Sequence, residues 1–162
     1  MKWFVTLIVL LSITVKSQSQ VTFKVESDTY YPDFSVKIGD DVYYPDISIK
    51  IGEDVYYPDF TVGITSNKSQ ADFIITTSSY ADYSIKASDD VYYPDLSIKA
   101  GNDIYYPDLT IKIATSGTVN YIVCTEKEFI SLRDLVVALL PAINYHTDFE
   151  HDELNELFKD LK

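Results

Sequence analysis

A unit of 13 residues recurs along most of this chain, and this period constrains the fold more than any other feature of the sequence. Five units carry the motif Tyr-Tyr-Pro-Asp, with first tyrosines at Tyr30, Tyr43, Tyr56, Tyr92 and Tyr105. Two weaker units contain Asp72 and Asp82, a degenerate unit spans Ser17–Thr29, and a trailing unit begins at Thr118. Such self-similarity is typical of a repeat architecture in which one small structural unit is copied.

The local pattern within a unit predicts a β-strand followed by turns. Ile47-Ser48-Ile49-Lys50-Ile51 alternates apolar and polar residues, as a half-buried strand does. Gly52-Glu53-Asp54 predicts a turn, and Val55-Tyr56-Tyr57 a second short extended piece that ends at Pro58. If consecutive units stack at the spacing of paired strands, the tyrosines are expected to pack ring on ring.

The composition changes near Thr125, and the remaining residues predict helices. Thr125-Glu126-Lys127-Glu128 has the form of a capping box, and Phe129, Leu132, Val136 and Leu139 follow at helical spacing. Pro141 ends or kinks this helix, and a second amphipathic helix follows Thr147. We therefore expect residues 125–162 to form a helical hairpin that caps the last β-unit. The alternative is a helix that docks a partner.

The N-terminal residues predict export. An apolar run from Trp3 to Val15 follows Lys2 and is too short for a comfortable membrane span. We interpret residues 1–17 as a signal peptide, residues 18–124 as the β-repeat domain, and the protein as secreted or periplasmic, with no membrane insertion after signal removal. Because Cys124 is the only cysteine, it has no internal disulfide partner, and its apolar neighbours predict a buried thiol.

The charge of the chain excludes some partners. The formal net charge is −12, which repels nucleic acid and anionic membranes. The expected partner is therefore an unidentified protein or glycan, and not a nucleic acid.

The repeated aspartates and tyrosines are the candidate functional residues. Carboxylates in a row repel one another, so each needs a compensating interaction. One possibility is hydrogen bonds from nearby backbone N–H groups, and the other is calcium bound between oxygen ligands. The metal candidates are Asp33, Asp46, Asp59, Asp95 and Asp108, and the candidates for a ligand surface are Tyr43, Tyr56, Tyr92 and Tyr105.

No motif in the chain indicates catalysis. There is no Gly-rich phosphate loop, nucleophile elbow or His-Glu-x-x-His motif, and an active site needs a unique constellation whereas these carboxylates come in rows. We therefore expect a non-enzymatic scaffold or recognition surface without a cofactor. The alternatives are a calcium-dependent binding module that uses the aspartate rows, and a carboxylate-dependent glycan hydrolase.

The weaker units resemble a known family. Ser69-Gln70-Ala71-Asp72-Phe73 and Tyr80-Ala81-Asp82-Tyr83 are similar to the Ser-Gln-Ala-Asp-apolar repeat of the septoil knot family, small bacterial proteins built from about seven such units. The resemblance covers residues 18 to about 120. It implies a β-rich torus knot with seven crossings and no catalytic residues. The expected fold is thus mainly β, with a septoil-knot-like core, or an unknotted β-solenoid or antiparallel meander, followed by the helical hairpin.

Overall fold

The structure is a computed structural model that describes residues 20–147 and 151–161, and it is mainly β, as predicted. Nine parallel strands close into a barrel. The strands are β1 (Val21–Glu26), β2 (Phe34–Gly39), β3 (Ile47–Gly52), β4 (Phe60–Thr65), β5 (Phe73–Ile75), β6 (Tyr83–Ser88), β7 (Leu96–Gly101), β8 (Leu109–Ala114) and β9 (Tyr121–Thr125). The helices are α1 (Leu132–Ala138), α2 (Leu140–His146) and α3 (Asp152–Leu157), with short 3-10 turns at Lys68–Gln70 and Lys159–Leu161. The predicted signal peptide, residues 1–17, lies outside the described residues.

Each full-length unit contributes one strand and one crossover. In β2 the side chains of Phe34, Val36 and Ile38 are buried while Ser35 and Lys37 are partly exposed, which confirms the predicted alternation. The second strand predicted at Val55–Tyr57 is wrong, because these residues lie in the irregular crossover between β3 and β4. All nine strands are parallel and therefore begin at the same end of the barrel. After each strand the chain has to return along the outside of the barrel before the next strand begins.

Consecutive strands are never neighbours in the barrel. The order around the ring is β1-β5-β9-β4-β8-β3-β7-β2-β6, so every partner of a strand lies four or five places away in sequence. Every crossover therefore passes over one intervening strand, and the chain travels nearly twice around the ring. Consecutive units do not stack on one another, so the predicted solenoid is wrong for this chain. The antiparallel meander is also wrong, because all pairings among the described strands are parallel.

The pairing register makes the barrel wide. Val36, the third residue of β2, pairs with Ala87, the fifth residue of β6, on one side and with Leu96, the first residue of β7, on the other. The same offset recurs at β3 and β4, always in the same sense. A stagger that accumulates around a closed sheet tilts the strands and widens the barrel. The interior consequently has room for more than the side chains of the strands.

The helices α1 and α2 occupy this interior. All side chains from Leu135 to Leu140 are at most 2 % exposed, and they belong to the same apolar cluster as the inward residues of the strands. A helix that is apolar on every side is buried on every side. Helix α1 contacts β1, β2, β5, β6 and β7. The predicted hairpin that caps the last β-unit is therefore wrong for α1 and α2, which enter the barrel from the end of β9.

The start of the first helix also differs from the prediction. Thr125 is the last residue of β9, and α1 begins only after Ser131, whose hydroxyl accepts a hydrogen bond from the Asp134 N–H at 3.0 Å. Pro141 lies in the first turn of α2 and separates it from α1, as expected for a proline at a helix boundary.

Helix α3 and the residue after it cover the end of the barrel at which the strands begin. The Phe158 ring packs edge-on against Phe23 and Tyr83, with centroids 6.3 and 5.2 Å away. The Tyr83 hydroxyl donates a hydrogen bond of 3.3 Å to the Leu157 carbonyl, and burial raises the pKa of Tyr83. The barrel is thus filled and closed by one C-terminal segment. Among the described residues no helix has the length and apolar character to span a bilayer.

Candidate functional site

The residue before each strand from β2 to β9 joins that strand to a neighbour, and we call these eight residues the aspartate ring. Its members are Asp33, Asp46, Asp59, Asp72, Asp82, Asp95, Asp108 and Asn120. Each side chain accepts a hydrogen bond from a backbone N–H of an adjacent strand, at 2.6–2.8 Å. In six cases the same oxygen also accepts from the Ser or Thr hydroxyl of that residue, at 2.7–2.9 Å.

These bonds replace the local turn chemistry that the sequence suggested. The donor is never in the aspartate's own turn: Asp95 accepts from Ser35, and Asp46 accepts from Ser97. Hydrogen bonds to a charged acceptor are among the stronger ones in proteins, so they offset part of the repulsion between neighbouring carboxylates. The aspartate ring therefore ties the starting edge of the barrel together.

The five metal candidates Asp33, Asp46, Asp59, Asp95 and Asp108 all belong to the aspartate ring, on strands that are adjacent in the barrel. Their Oδ2 atoms are occupied by strand donors. Within residues 20–147 and 151–161, no group of three or more His, Cys, Asp or Glu side chains is arranged to hold a metal ion.

The tyrosines of the crossovers are the most exposed aromatic residues in the part of the chain that the structure describes. Eleven of them are 84–97 % exposed. Rings this exposed are not packed face to face, so the predicted ladder of stacked tyrosines is wrong. The candidates Tyr43, Tyr56, Tyr92 and Tyr105 are the first members of their pairs and are 84–89 % exposed.

The barrel order places all these tyrosines along a continuous two thirds of the circumference. They precede β4, β8, β3, β7, β2 and β6, and these six strands are consecutive around the ring. The other three strands, β1, β5 and β9, are also consecutive, and the described residues before them contain no tyrosine. We call the first group the tyrosine arc; its members are Tyr30, Tyr31, Tyr43, Tyr44, Tyr56, Tyr57, Tyr80, Tyr92, Tyr93, Tyr105 and Tyr106.

The second tyrosine of each pair has an unusual backbone. Tyr31, Tyr44, Tyr57, Tyr93 and Tyr106 have φ between 50° and 55°, in the left-handed region. A bulky residue there costs about 1 kcal/mol or more, whereas Gly or Asn adopts this conformation more readily. Each of these tyrosines is followed by a proline, and each crossover makes the same bend before its strand begins.

Buried aliphatic residues anchor the crossovers beneath the tyrosine arc. Val42, Val55, Val91 and Ile104 are buried yet lie outside the central apolar cluster. Val42 and Ile104 reach over Gly39 and Gly101, with methyl carbons 3.6 Å from where a Cβ would stand. These two anchors therefore pack against the ends of β2 and β7.

The shortest strand of the barrel is β5, with three residues. Glu126, the residue after β9, forms hydrogen bonds with the residues at the end of β5. The Glu126 N–H donates to the Ile75 carbonyl at 2.8 Å, and its carboxylate accepts hydrogen bonds from Lys68, the Thr76 hydroxyl and the Thr77 N–H. These donors lower the pKa of Glu126 to about 2, with the Lys68 bond the largest cause.

A depression in the surface lies at the ends of β2, β3 and β7. Acidic and basic side chains both line it: Asp40, Asp103, Lys99 and Arg133. Cys124 lies on β9 and is buried against Ala71 and Ile74, which confirms the predicted burial of its thiol. The depression thus contains two aspartates, Asp40 and Asp103, together with basic side chains.

Sequence reasoning missed two properties of the tyrosine arc. The first is the left-handed backbone at Tyr31 and its equivalents, because the residue before a proline normally favours extended conformations. The second is the contiguity of the arc, since it depends on the order of strands in the barrel. The fivefold repetition of a second tyrosine before proline was the available signal.

Comparisons with known proteins add no assignment to this geometry: neither a scan against protein-family models nor a search of curated proteins finds a match for the chain.

Proposed function

We propose that this protein is an exported, non-enzymatic recognition module and that the tyrosine arc is its binding surface. Eleven exposed tyrosines in the crossovers that precede six adjacent strands carry this proposal. At roughly 150–250 Å² per ring, they present on the order of 2,000 Å² of aromatic surface. Soluble proteins rarely expose contiguous apolar patches above a few hundred Å² unless these patches bind something.

The backbone conformation of the tyrosine arc supports a role of the rings in binding and not in the stability of the fold. A fold that requires φ near +50° is served best by Gly or Asn, yet tyrosine occupies this position five times. The same five side chains are 96–97 % exposed and gain almost nothing from packing. Because these five tyrosines strain the backbone and their side chains contribute little to packing, a role in binding explains why they are there.

The arrangement of carboxylates supports a function without catalysis. A glycan hydrolase needs two carboxyl groups with different environments about 5–10 Å apart across the scissile bond. Here the aspartate ring repeats one environment, in which each side chain accepts hydrogen bonds from a neighbouring strand. Export rests on the apolar N-terminal run from Trp3 to Val15.

The test replaces all five left-handed tyrosines (31, 44, 57, 93 and 106) by asparagine. Because these rings make few contacts and asparagine tolerates the left-handed region, the melting temperature should stay the same or rise by a few degrees. Arrays of peptides and glycans probed with the labelled wild-type protein and with the variant should give ligands that the variant loses.

A control variant, Tyr83→Asn, removes a ring that stacks on Phe23 with centroids 5.6 Å apart and should lower the melting temperature. The proposal fails if the fivefold variant melts many degrees lower, which would make the tyrosines structural. It also fails if every array ligand binds both proteins equally.

We further propose that the chain is threaded as a torus knot, in line with its resemblance to the septoil knot family. Support comes from the regular step of two positions in a ring of nine strands, with crossovers that pass outside a filled barrel. Pulling the unfolded chain from residues 21 and 161 in an optical trap should give a contour length below the full extension of about 3.4 Å per residue. Full extension would exclude the knot.

A further inference from the structure

The tyrosine arc lies in a negative local field. The first halves of its crossovers contain exposed acidic residues that form no ion pair with the basic side chains of the described ranges. They are Asp28, Asp40, Asp41, Glu53, Asp54, Asp89, Asp90 and Asp103. Six aspartates of the ring follow the tyrosines on the other side. Each Tyr-Tyr pair is thus bracketed by carboxylates along the chain.

Basic side chains only partly balance these acids. Six lysines occupy equivalent outward positions on β8, β3, β7, β2, β6 and β1, where they are partly covered: Lys112, Lys50, Lys99, Lys37, Lys86 and Lys24. The carboxylates of the same crossovers outnumber them, and the net charge of the whole chain is −12. The exterior around the rings therefore attracts cations and repels anions.

Aromatic faces beside carboxylates favour cationic groups. A guanidinium or ammonium group over a tyrosine ring gains about 0.5–1 kcal/mol at an exposed site, and Arg also stacks on the ring plane. A single contact of this size does not hold a ligand. Repetition across six adjacent strands lets a multivalent ligand add such contacts within one complex.

An extended peptide is long enough to reach several tyrosine pairs. Neighbouring strands lie about 4.8 Å apart, and an extended peptide repeats side chains on one face about every 6.6 Å. Four such side chains span about 20 Å, which is about the distance across five neighbouring strands. A second copy of this chain is a poor occupant, because two molecules of charge −12 repel each other.

Resting on the proposed function of the arc, we infer that its ligand is an extended segment of another protein that is rich in arginine and lysine. Recognition combines the ring faces with the bracketing carboxylates. Arginine should bind more tightly than lysine, because its planar group stacks on aromatic faces and is more weakly hydrated.

The experiment measures binding of fluorescein-labelled nona-arginine to the folded protein by fluorescence anisotropy, in parallel with nona-lysine, nona-glutamate and cellohexaose. We expect nona-arginine to bind best, nona-lysine several-fold more weakly, and the other two not at all. Tyr44→Ala combined with Tyr93→Ala, in the crossovers that precede the adjacent strands β3 and β7, should weaken nona-arginine binding at least fivefold without changing the net charge.

Two variants make the result specific. Tyr145→Ala removes a tyrosine that is 79 % exposed but lies on α2, outside the arc, and should leave binding unchanged. Asp41→Asn combined with Asp90→Asn should weaken binding and reduce its dependence on salt.

Unchanged nona-arginine binding by the Tyr44/Tyr93 variant would overturn the inference, because attraction by net charge alone would then explain it. Binding of cellohexaose that is lost in the same variant, with no binding of nona-arginine, would also overturn it. That second outcome would leave the tyrosine arc as the recognition surface, so the two proposals fail separately.

Discussion

Each aspartate of the ring connects two strands that are distant in sequence. The Asp95 carboxylate accepts hydrogen bonds from the N–H and hydroxyl of Ser35, 60 residues away, at 2.6 and 2.7 Å. At one position the chain itself uses an amide, since Asn120 makes the same two bonds to Thr61 at 2.8 and 2.9 Å. Each position of the aspartate ring thus requires a side-chain oxygen that accepts hydrogen bonds, and the negative charge of that side chain is secondary.

We predict that Asp95→Ala lowers the free energy of unfolding by about 1–2 kcal/mol, because two donors lose their acceptor at a solvent-accessible edge. Asp95→Asn should cost well under half of this. Urea denaturation of the two variants and the wild-type protein measures the difference. Equal losses in both variants would show that the charge, and not the acceptor geometry, is what matters.

A second residue-scale prediction concerns pH. The pKa of Glu126 is about 2, below its ordinary value of 4.5, because the donors Lys68, Thr76 and Thr77 favour the ionised form. A carboxyl group whose pKa is lower in the folded state than in the unfolded state stabilises the fold at pH values above its unfolded-state pKa. This contribution disappears as the pH falls through the folded-state pKa. Glu126→Gln should therefore melt below the wild type at pH 7, with a gap that shrinks below about pH 4.5 and closes near pH 2.

Thermal melts from pH 7 to pH 2 measure this gap. Glu128→Gln, at an exposed position two residues along, serves as the control and should show no comparable gap. A gap for Glu126→Gln that persists unchanged down to pH 2 would contradict the assigned cause.

Among the secondary-structure elements, the strands were predictable and the helical segment was only partly so. The alternation in Ile47–Ile51 marks a half-buried strand because one side of the sheet faces the core. The spacing of Phe129, Leu132 and Val136 predicts an amphipathic helix, yet Phe129 is 78 % exposed and precedes α1. The continuous apolar run from Leu135 to Leu140 was the better signal, because only a helix buried on all sides tolerates it.

We predict that Leu139→Ala destabilises the protein by about 2–5 kcal/mol, since it opens a cavity where α1 meets the barrel core. Leu132→Ala, at a position that is 40 % exposed, should cost less than about 1 kcal/mol. Chemical denaturation of both variants compares them directly. Similar small losses would indicate that the segment lies on the surface and not inside the barrel.

For the whole molecule, the partner of each strand was beyond what the sequence could indicate. Asp46 is bonded to Ser97, but Ser35 and Ser48 carry the same chemistry in their own units. Near-identical units give near-identical pair energies, so local chemistry does not choose between neighbours 13 residues away and neighbours 51 or 60 residues away. The choice depends on closing the ring around the C-terminal helices, which is a property of the complete chain.

The ring order predicts that the number of units cannot be reduced by one. A regular step of two positions reaches every place in a ring only when the number of strands is odd, and this ring has nine. Deleting residues 40–52, one complete unit, should abolish the cooperative melting transition, whereas a solenoid would tolerate the loss.

A matched control inserts 13 flexible Gly/Ser residues after Gly117, where φ is +91° and an added Cβ would meet no atom within 4 Å. This insertion alters the chain length by the same amount but keeps the strand number, and it should retain a cooperative melt in circular dichroism. Cooperative melting of the deletion variant near the wild-type temperature would contradict the proposed rule.

The pairing of each strand with partners four or five places away also fixes an order of events during synthesis. β1, β2, β3 and β4 have no partners among themselves, so the first half of the repeat region leaves the ribosome with no native hydrogen-bonding partner. Pairing begins only with β5, and the helices that fill the interior are made last. Until β5 is made this chain is a set of unpaired strands, and we expect the prolines and charged residues of its crossovers to limit aggregation during that interval.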